Sequence, residues 1–248
     1  MKYLKKFNTH SEYETFKQSA EYIEPNVSVC VNENEVHYNP IVIGSHEYVD
    51  LGLPTGTLWA TENIKDANGN ELYFAWGETQ GYTSGQVGTE KNFSWRGADN
   101  DYAFGPIDWN DDTNYGMTKY NKTDGKTVLD TTDDAATANW GSDWRMPTIK
   151  QFEELTKNTT MVLTQVDGVN GLLFTSTVNT NTLFFPAVGN AKDGNTECIG
   201  DEGIYWLVEL SDKQVNNAFN FGFKGVKYDV GYLGRYHGCS MRPVRASN

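Results

Sequence analysis

Residues 139–155 read Asn-Trp-Gly-Ser-Asp-Trp-Arg-Met-Pro-Thr-Ile-Lys-Gln-Phe-Glu-Glu-Leu, and this stretch carries the densest structural information in the chain. Thr148 is placed to be a helix N-cap, because its hydroxyl can accept a hydrogen bond from the backbone N–H of Gln151. The Gln151 side chain can reach back to the backbone of Thr148 and complete a capping box. Pro147 prevents the helix from starting earlier. The stretch therefore predicts a helix that begins directly after Thr148.

The predicted helix has one apolar face. Ile149, Phe152 and Leu155 recur at near-helical spacing, and the charged residues between them face outward. This pattern indicates a short helix of about two to three turns that lies on a core. Just before it, Trp140 and Trp144 flank a Gly-Ser pair, and two indoles bury a large apolar area. We expect the stretch to form a central junction of the core.

The rest of the chain after residue 45 favours short strands. Short apolar or alternating runs, bounded by Gly, Asn and Asp, predict them. Asp133–Ala136 suggests a single helical turn with acidic residues in its favourable first positions. Residues 77–125 are polar and rich in Gly, Asn, Asp and Tyr, which is typical of a long functional loop. Few helices, many short antiparallel strands and long loops predict an α+β domain. The predicted strands are Glu47–Leu53, Thr57–Thr61, Thr160–Val166, Gly171–Thr177, Thr182–Pro186, Gly203–Glu209, Ala218–Lys224 and Met241–Val244.

Composition excludes several classes of function. A net charge of −13 and a pI near 4.7 argue against nucleic acid as the main partner, because few groups could neutralise a run of phosphates. No stretch approaches the ~18 apolar residues of a membrane span, so we expect no membrane insertion. No apolar segment follows the first lysines, so we expect synthesis in a cytoplasm without export by the usual route. The sequence indicates no cofactor.

The cysteine content predicts no disulfide framework. The chain has 3 cysteines, Cys30, Cys198 and Cys239, which is an odd number and too few for such a framework. We expect at most one bridge, with buried thiols as the usual state.

A boundary near Gly44 divides the chain into residues 1–45 and residues 46–248. In the first part, Ser11 with Glu14 predicts a second capped helix that ends near Ala20. Two alternating runs, Val27–Val31 and Val36–Tyr38, predict a hairpin. A unit of this size is too small to be stable alone, so we expect it to pack on something else, and another chain is one candidate. Its candidate attachment residues are Phe7, Tyr13, Phe16, Val29, Val31 and Tyr38.

The loop from Asp108 to Asp112 is a weak calcium candidate. Asp108, Asn110 and Asp112 offer side-chain oxygens at alternate positions, as at the start of an EF-hand loop. Thr113 stands where that loop needs Gly, and Lys119 stands where it needs Glu. We therefore predict no metal site here.

Aromatic and amide side chains near the C-terminus suggest a binding surface. Phe219, Phe221 and Phe223 alternate, which predicts the inward side of a strand. The residues after them lie in a Gly-punctuated segment that we interpret as a surface loop, and Tyr and Asn there offer stacking area and adaptable hydrogen bonds. The predicted ligand-binding residues are Tyr228, Tyr232, Arg235, Tyr236 and His237.

Several motifs together resemble a large paralogous family of Bacteroidetes proteins with a C-type-lectin-like fold. The motifs are Tyr48–Thr61, Tyr73–Thr79, Asp133–Ala136 with Asn139–Gly141, Trp144–Thr148, Phe184–Gly189 and Ser240–Val244, in the order of the family. The resemblance covers roughly residues 46–245. It implies that the first and last strands pair, with Tyr48–Leu53 beside Met241–Val244, and that variable loops form one ligand face. Glu62 stands where the family often has a cysteine, so a disulfide there is absent.

The N-terminal segment resembles leader segments of virion proteins from tailed phages of gut Bacteroidales, the crAss-like group among them. The residues that carry this likeness are Leu4–Phe7, His10–Tyr13, Pro25–Cys30 and Val36–Pro40. The resemblance implies a capsid decoration or head fibre, assembled in the host cytoplasm, whose lectin-like domain binds host-surface or gut glycans. Such proteins are usually homo-oligomers, and we predict a trimer. The alternative is a bacterial adhesion protein of the same fold.

An enzymatic alternative rests on Trp144–Glu153, which also looks like the helix start in formylglycine-generating enzymes. These enzymes share the fold and use a cysteine pair, a role that Cys198 and Cys239 would have to take. The chain lacks the rest of that pattern, and the histidines show no metal spacing, so we predict no enzymatic activity.

Overall fold

A computed structural model of the chain describes residues 46–245 throughout and, before them, the backbone of three short strands. The helices are α1 Ala135–Trp140 and α2 Ile149–Lys157, with a 3₁₀ turn at Gly97–Asp99. The strands are β1 Leu4–Lys6, β2 Ser28–Cys30, β3 Ile41–Ile43, β4 His46–Asp50, β5 Leu58–Ala60, β6 Thr159–Val166, β7 Val169–Ser176, β8 Thr182–Pro186, β9 Asn190–Lys192, β10 Asn195–Glu197, β11 Glu202–Leu210, β12 Asn217–Lys224, β13 Lys227–Gly234 and β14 Val244–Arg245.

The strands form several small sheets rather than one large sheet. The larger ones have the orders β14-β5-β4-β3, β6-β7-β8 and β11-β12-β13, and β1-β2 and β9-β10 are two-stranded. Every described strand pairing except β1-β2 is antiparallel. Short antiparallel sheets with few helices confirm the α+β class.

The predictions for the N-terminal unit fall largely outside the described residues. β2 agrees with the first predicted hairpin strand, and its described neighbour is β1, to which it is parallel. The predicted capped helix, the second hairpin strand and all the candidate attachment side chains (Phe7, Tyr13, Phe16, Val29, Val31 and Tyr38) lie outside what the structure describes. β3, at the end of this unit, pairs with β4 of the following domain.

The capping box at the start of α2 is confirmed. The Thr148 hydroxyl accepts from the backbone N–H of Gln151 at 3.2 Å, and the Thr148 N–H donates to Gln151 Oε1 at 2.9 Å. The apolar face is also as predicted, because Phe152 and Leu155 are fully buried and Ile149 packs beside them. The ring of Phe152 stacks on Phe221 of β12, with centroids 4.5 Å apart. The local sequence therefore determines where α2 begins and which face it buries, and that face packs against β12.

The expected pairing of the first and last strands is wrong in detail. β14 bonds to β5, with Val244 opposite Trp59, and β5 separates it from β4. Both edges of β4 are already taken, by β5 on one side and by β3 on the other. The last strand therefore joins the free edge of β5.

The sheet β11-β12-β13 lies between two hydrophobic clusters. Trp206 and Ala218 belong to a cluster with the aromatic residues of the long loops. Phe221 and Phe223 belong to a second cluster with α2 and β6-β7-β8, as their predicted inward position requires, and Phe219 is partly buried against it. The sheet therefore connects the scaffold to the loops.

The structure corrects two further expectations. The segment from Lys227 to Gly234 is the strand β13, paired with β12 along its whole length, and not a loop. Trp144 is buried in a small cluster with Tyr48, Leu58 and Ala60, but Trp140 is only half-buried and stacks on His46 with ring centroids 3.8 Å apart. The two indoles therefore differ in how much they contribute to the core.

Among the described residues no helix is long and apolar enough to cross a membrane.

Candidate functional site

Four aromatic side chains from two loops and the segment after β13 form a continuous row, which we call the aromatic row: Tyr115, Trp109, Trp95 and Tyr236. Successive ring centroids lie 5.8 Å (Tyr115 to Trp109), 5.6 Å (Trp109 to Trp95) and 6.2 Å (Trp95 to Tyr236) apart. Trp109 is 55% exposed, which is unusual for an indole, and the other three are half-buried. The row therefore presents an apolar surface to solvent.

Trp109 lies in a tight loop that carboxylates hold in place. Asp108 Oδ1 accepts from the backbone N–H of Asn110 at 2.9 Å, and Asp111 accepts from the N–H groups of Thr113 and Asn114 at 3.1 and 2.9 Å. These are Asx turns, in which a side chain replaces a backbone acceptor. Gly116 has a φ of +76°, and a Cβ there would lie 2.3 Å from the carbonyl oxygen of Pro106. The loop thus fixes the exposed indole before any ligand binds.

Trp95 is positioned by the carboxylate of Asp101. This carboxylate accepts from the backbone N–H of Asn92, of Phe93 at 3.2 Å and of Ser94 at 3.1 Å. The buried Lys91 ammonium lies 2.7 Å from Glu78 Oε2 and also donates to the backbone carbonyl of Asp101. It therefore links the chain around Glu78 to the chain around Asp101. Carboxylates within residues 77–125 accept these hydrogen bonds, and they thereby determine the backbone conformation of the loops.

Tyr236 closes the row and contacts Trp95 directly. Burial, and after it the Asp193 carboxylate, raises the pKa of the Tyr236 phenol, whereas the nearby Trp95 indole N–H and the Arg96 charge lower it. The Arg96 guanidinium, which is exposed, lies 5.3 Å from the centroid of the Trp95 ring. The edge of the row therefore offers polar groups next to the indole faces.

Arg235 lies beneath these loops and is fully buried, so its predicted place on a binding surface is wrong. Nε donates to the Tyr102 hydroxyl at 2.9 Å. The terminal nitrogens donate to the carbonyls of Tyr120 at 3.0 Å, Val215 at 2.9 Å and Lys119 at 2.9 Å. Four aromatic rings surround the guanidinium, and the nearest, Trp76, has its centroid at 4.9 Å. The side chain is a structural link between loops, because it supplies donors to backbone carbonyls of two loops and to the Tyr102 hydroxyl, which itself donates to the Trp76 carbonyl at 2.8 Å.

His237 is also buried, so its predicted exposure is wrong as well. Its ring lies 4.5 Å from that of Tyr236, and Asn190 Nδ2 is 3.5 Å from its Nδ1. Burial, with a smaller effect of the Lys192 charge, lowers the pKa of His237 to about 4. At neutral pH it is an uncharged support behind Tyr236.

Tyr228 and Tyr232 do lie at the surface, 43% and 52% exposed, but on β13. Cross-strand pairing places them opposite Phe223 and Phe219. The five predicted ligand residues are therefore divided: two are exposed on β13, two are buried, and Tyr236 alone belongs to the aromatic row. Trp95 and Trp109 are not among the predicted ligand residues. Trp109-Asn110-Asp111 mimics a sugar-binding lectin triplet, which we interpreted as a coincidence because it lies far from the terminal strands, and Trp95 gave no signal beyond a tryptophan in a long polar loop.

The calcium candidates are used inside their own turn or face solvent. Asp108 Oδ1 also accepts from Asn110 Nδ2 at 3.0 Å, and Asp112 is exposed. Within the described part of the chain, no group of three or more His, Cys, Asp or Glu side chains could hold a metal ion.

The two described cysteines are free thiols in different surroundings. Cys239 is buried, as expected, whereas Cys198 is exposed, so the expectation of a buried thiol is wrong for Cys198. Cys198 follows β10 with a φ of 58°, at a surface turn outside the core. Burial raises the pKa of Cys239, and desolvation followed by the Glu202 charge raises that of Cys198.

Comparisons of the chain with family models, with curated proteins and with solved structures give no match.

Proposed function

We propose that residues 46–248 form a C-type-lectin-like binding domain without enzymatic activity, and that the domain binds carbohydrate on the aromatic row. The single observation that carries this proposal is Trp109, an exposed indole held by a rigid loop between two further aromatic rings. The C–H face of a sugar ring stacks on such a surface, and burying an exposed indole supplies binding free energy. Because the loop is already fixed, little conformational entropy is lost on binding.

The finer fold assignment rests on the resemblance of residues 46–245 to the Bacteroidetes family. It is supported by a terminal strand that returns to the N-terminal sheet, by two short capped helices against the core and by long loops that contact the segment directly after β13. The raised pKa values of the two thiols favour a binding function over the alternative of an oxidase. A cysteine that acts as a nucleophile needs a lowered pKa, and both described thiols have raised ones.

The aromatic row predicts which substitution should reduce glycan binding. We expect Trp109→Ala to abolish or strongly reduce binding to host-surface or gut glycans on an array, because the substitution removes the most exposed ring of the row. The matched comparison is Tyr232→Ala, which removes a ring of similar exposure from β13. Unchanged binding by Trp109→Ala, with loss in Tyr232→Ala, would move the site to the β13 tyrosines; no binding by the unaltered protein would leave a purely structural role.

We further propose that the chain is a structural protein of a phage virion, attached to the capsid or to other virion proteins by residues 1–45 and assembled as a homo-oligomer, for which we propose a trimer. The support is the resemblance of the N-terminal segment to phage virion leaders. The rival proposal is a bacterial adhesion protein of the same fold.

A truncation separates these two proposals. Because β3 pairs with β4, the cut should remove residues 1–40 and keep Ile41–Ile43. We expect the shortened chain to keep its secondary structure by circular dichroism and to be missing from purified particles that incorporate the full chain. Particles that take up both forms equally would refute the attachment role. A full chain found on bacterial surfaces and never in particles would favour adhesion.

A further inference from the structure

A cavity of about 400 Å³ opens over the β11-β12-β13 sheet, and it does not include any ring of the aromatic row. Its lining includes Ile204, Asn220, Gly222, Tyr228 and Asp229. We use the name trough for the part of this cavity that lies above Gly222, between Asn220 and Asp229, together with the adjoining surface at Gly231, which pairs with Asn220 and where a Cβ would lie 3.8 Å from Asp229 Oδ2.

Neither the backbone nor the packing of the chain requires glycine at positions 222 and 231. Neither residue has a left-handed φ, and a Cβ on either would meet its nearest neighbours at ordinary distances, 3.5 Å or more for Gly222 and 3.8 Å or more for Gly231. The pairing of β12 with β13 has no bulge. Glycine weakens the interior of a strand, and one common reason for its presence is the close approach of a ligand. The two glycines keep the floor of the trough free of side chains.

Two polar side chains converge over this floor and make no side-chain hydrogen bond within the described residues. Asn220 is only 7% exposed, yet its amide is not among the buried polar atoms that lack a partner, so it opens into the cavity, where water or a ligand can bond to it. Asp229, which is exposed, forms no ion pair or hydrogen bond within the described residues either. Measured from the position of a Cβ on Gly222, Asn220 Oδ1 lies at 3.5 Å and Asp229 Oδ1 at 3.6 Å. Both side chains can therefore reach one small ligand at the same time.

The charges around the cavity favour an uncharged ligand. Lys224 contacts Glu202 Oε1 at 2.7 Å and Asp201 Oδ2 at 2.8 Å, so its charge is compensated. Among the lining residues, Lys224 and Lys227 balance Glu202 and Asp229. Such a site attracts neither cations nor anions strongly. It does offer a carboxylate acceptor, an amide that both donates and accepts, and an apolar wall at Ile204.

We propose that the trough is a second, metal-free carbohydrate site that holds one sugar unit. One hydroxyl of the sugar donates to the Asp229 carboxylate, and a neighbouring hydroxyl exchanges hydrogen bonds with the Asn220 carboxamide. The apolar face of the sugar ring lies against Ile204. The ligand class rests on the proposed carbohydrate-binding function, whereas the location of the site rests on the trough alone.

The test is an NMR titration of the full chain with free hexoses, hexosamines, deoxyhexoses and pentoses. We expect at least one sugar to shift the backbone amide signals of Gly222 and Gly231 and the side-chain amide of Asn220. Asp229→Asn should weaken the binding of that sugar by about tenfold, because a neutral amide oxygen replaces a charged acceptor for the same hydrogen bond. Asp167→Asn, at an exposed turn between β6 and β7, is the control and should bind normally.

A second variant separates ligand binding from folding. Gly231→Val fills the trough with a residue that favours strands, so it should abolish binding while the unfolding midpoint stays the same or rises. No shift with any sugar, or equal affinity in Asp229→Asn, would overturn the proposal, and so would shifts caused only by amines or guanidines. Trp109→Ala should leave these shifts intact, so failure at the aromatic row and failure at the trough are distinguishable.

Discussion

Arg235→Met is expected to lower the free energy of unfolding by about 3–5 kcal/mol, because several buried acceptors lose their donor at once and each such group costs about 1–3 kcal/mol. The guanidinium has no exposed surface and donates to three carbonyls and one hydroxyl. Methionine fills similar space but donates nothing, so the carbonyls of Lys119, Tyr120 and Val215 lose a donor in a dry interior. Urea unfolding followed by circular dichroism measures the change.

The control for this prediction is Arg235→Lys, which keeps the charge and removes the planar fork. Lysine cannot donate in several fixed directions at once, so we expect it to recover little of the lost stability. We also expect the long loops to loosen first, which protease cleavage within residues 77–125 would reveal. Full stability in Arg235→Met would show that the apolar rings around the guanidinium suffice without it, as happens in some buried ionic networks.

Local patterns predicted the local elements of this fold well. The capping box of α2 and strands β6, β7, β8, β11 and β12 depend on neighbours within a few residues, and the structure has them close to the predicted bounds. β13 was not predicted because Gly231 and Gly234 interrupt the alternation of side chains that indicates a strand, and glycines favour the prediction of a loop. This segment is a strand because its backbone pairs with β12, and its own composition gives no sign of that pairing.

The positions of Arg235 and of the aromatic row could not be read from the sequence. The acceptors of Arg235 at Tyr102, Lys119 and Tyr120 are more than a hundred residues away along the chain. An arginine between Gly and Tyr is ordinarily a surface residue. Likewise, no short-range pattern shows that Trp95, Trp109 and Tyr236 meet, because long loops are positioned by side-chain hydrogen bonds that have no period.

Trp144→Ala is expected to lower the free energy of unfolding by about 3–5 kcal/mol, the range for deleting a large buried aromatic side chain. The indole is buried against Tyr48, with ring centroids 6.4 Å apart, and against Trp140 at 5.1 Å. The Arg245 guanidinium lies 5.6 Å from the ring centroid, and its buried Nε and Nη1 have no hydrogen-bond partner among residues 46–245. Losing the ring leaves this charge with fewer favourable contacts.

Trp140→Ala is the matched control, because the two indoles belong to the same stretch but only Trp144 is buried. Trp140 is half-exposed and stacks on His46, so its removal should cost clearly less. Both variants should retain ligand binding when folded, since neither ring belongs to the aromatic row or the trough. Chemical unfolding and the binding assays can be run on the same samples. A folded Trp144→Ala protein that had lost only ligand binding would place function, and not merely support, in the stretch around α2.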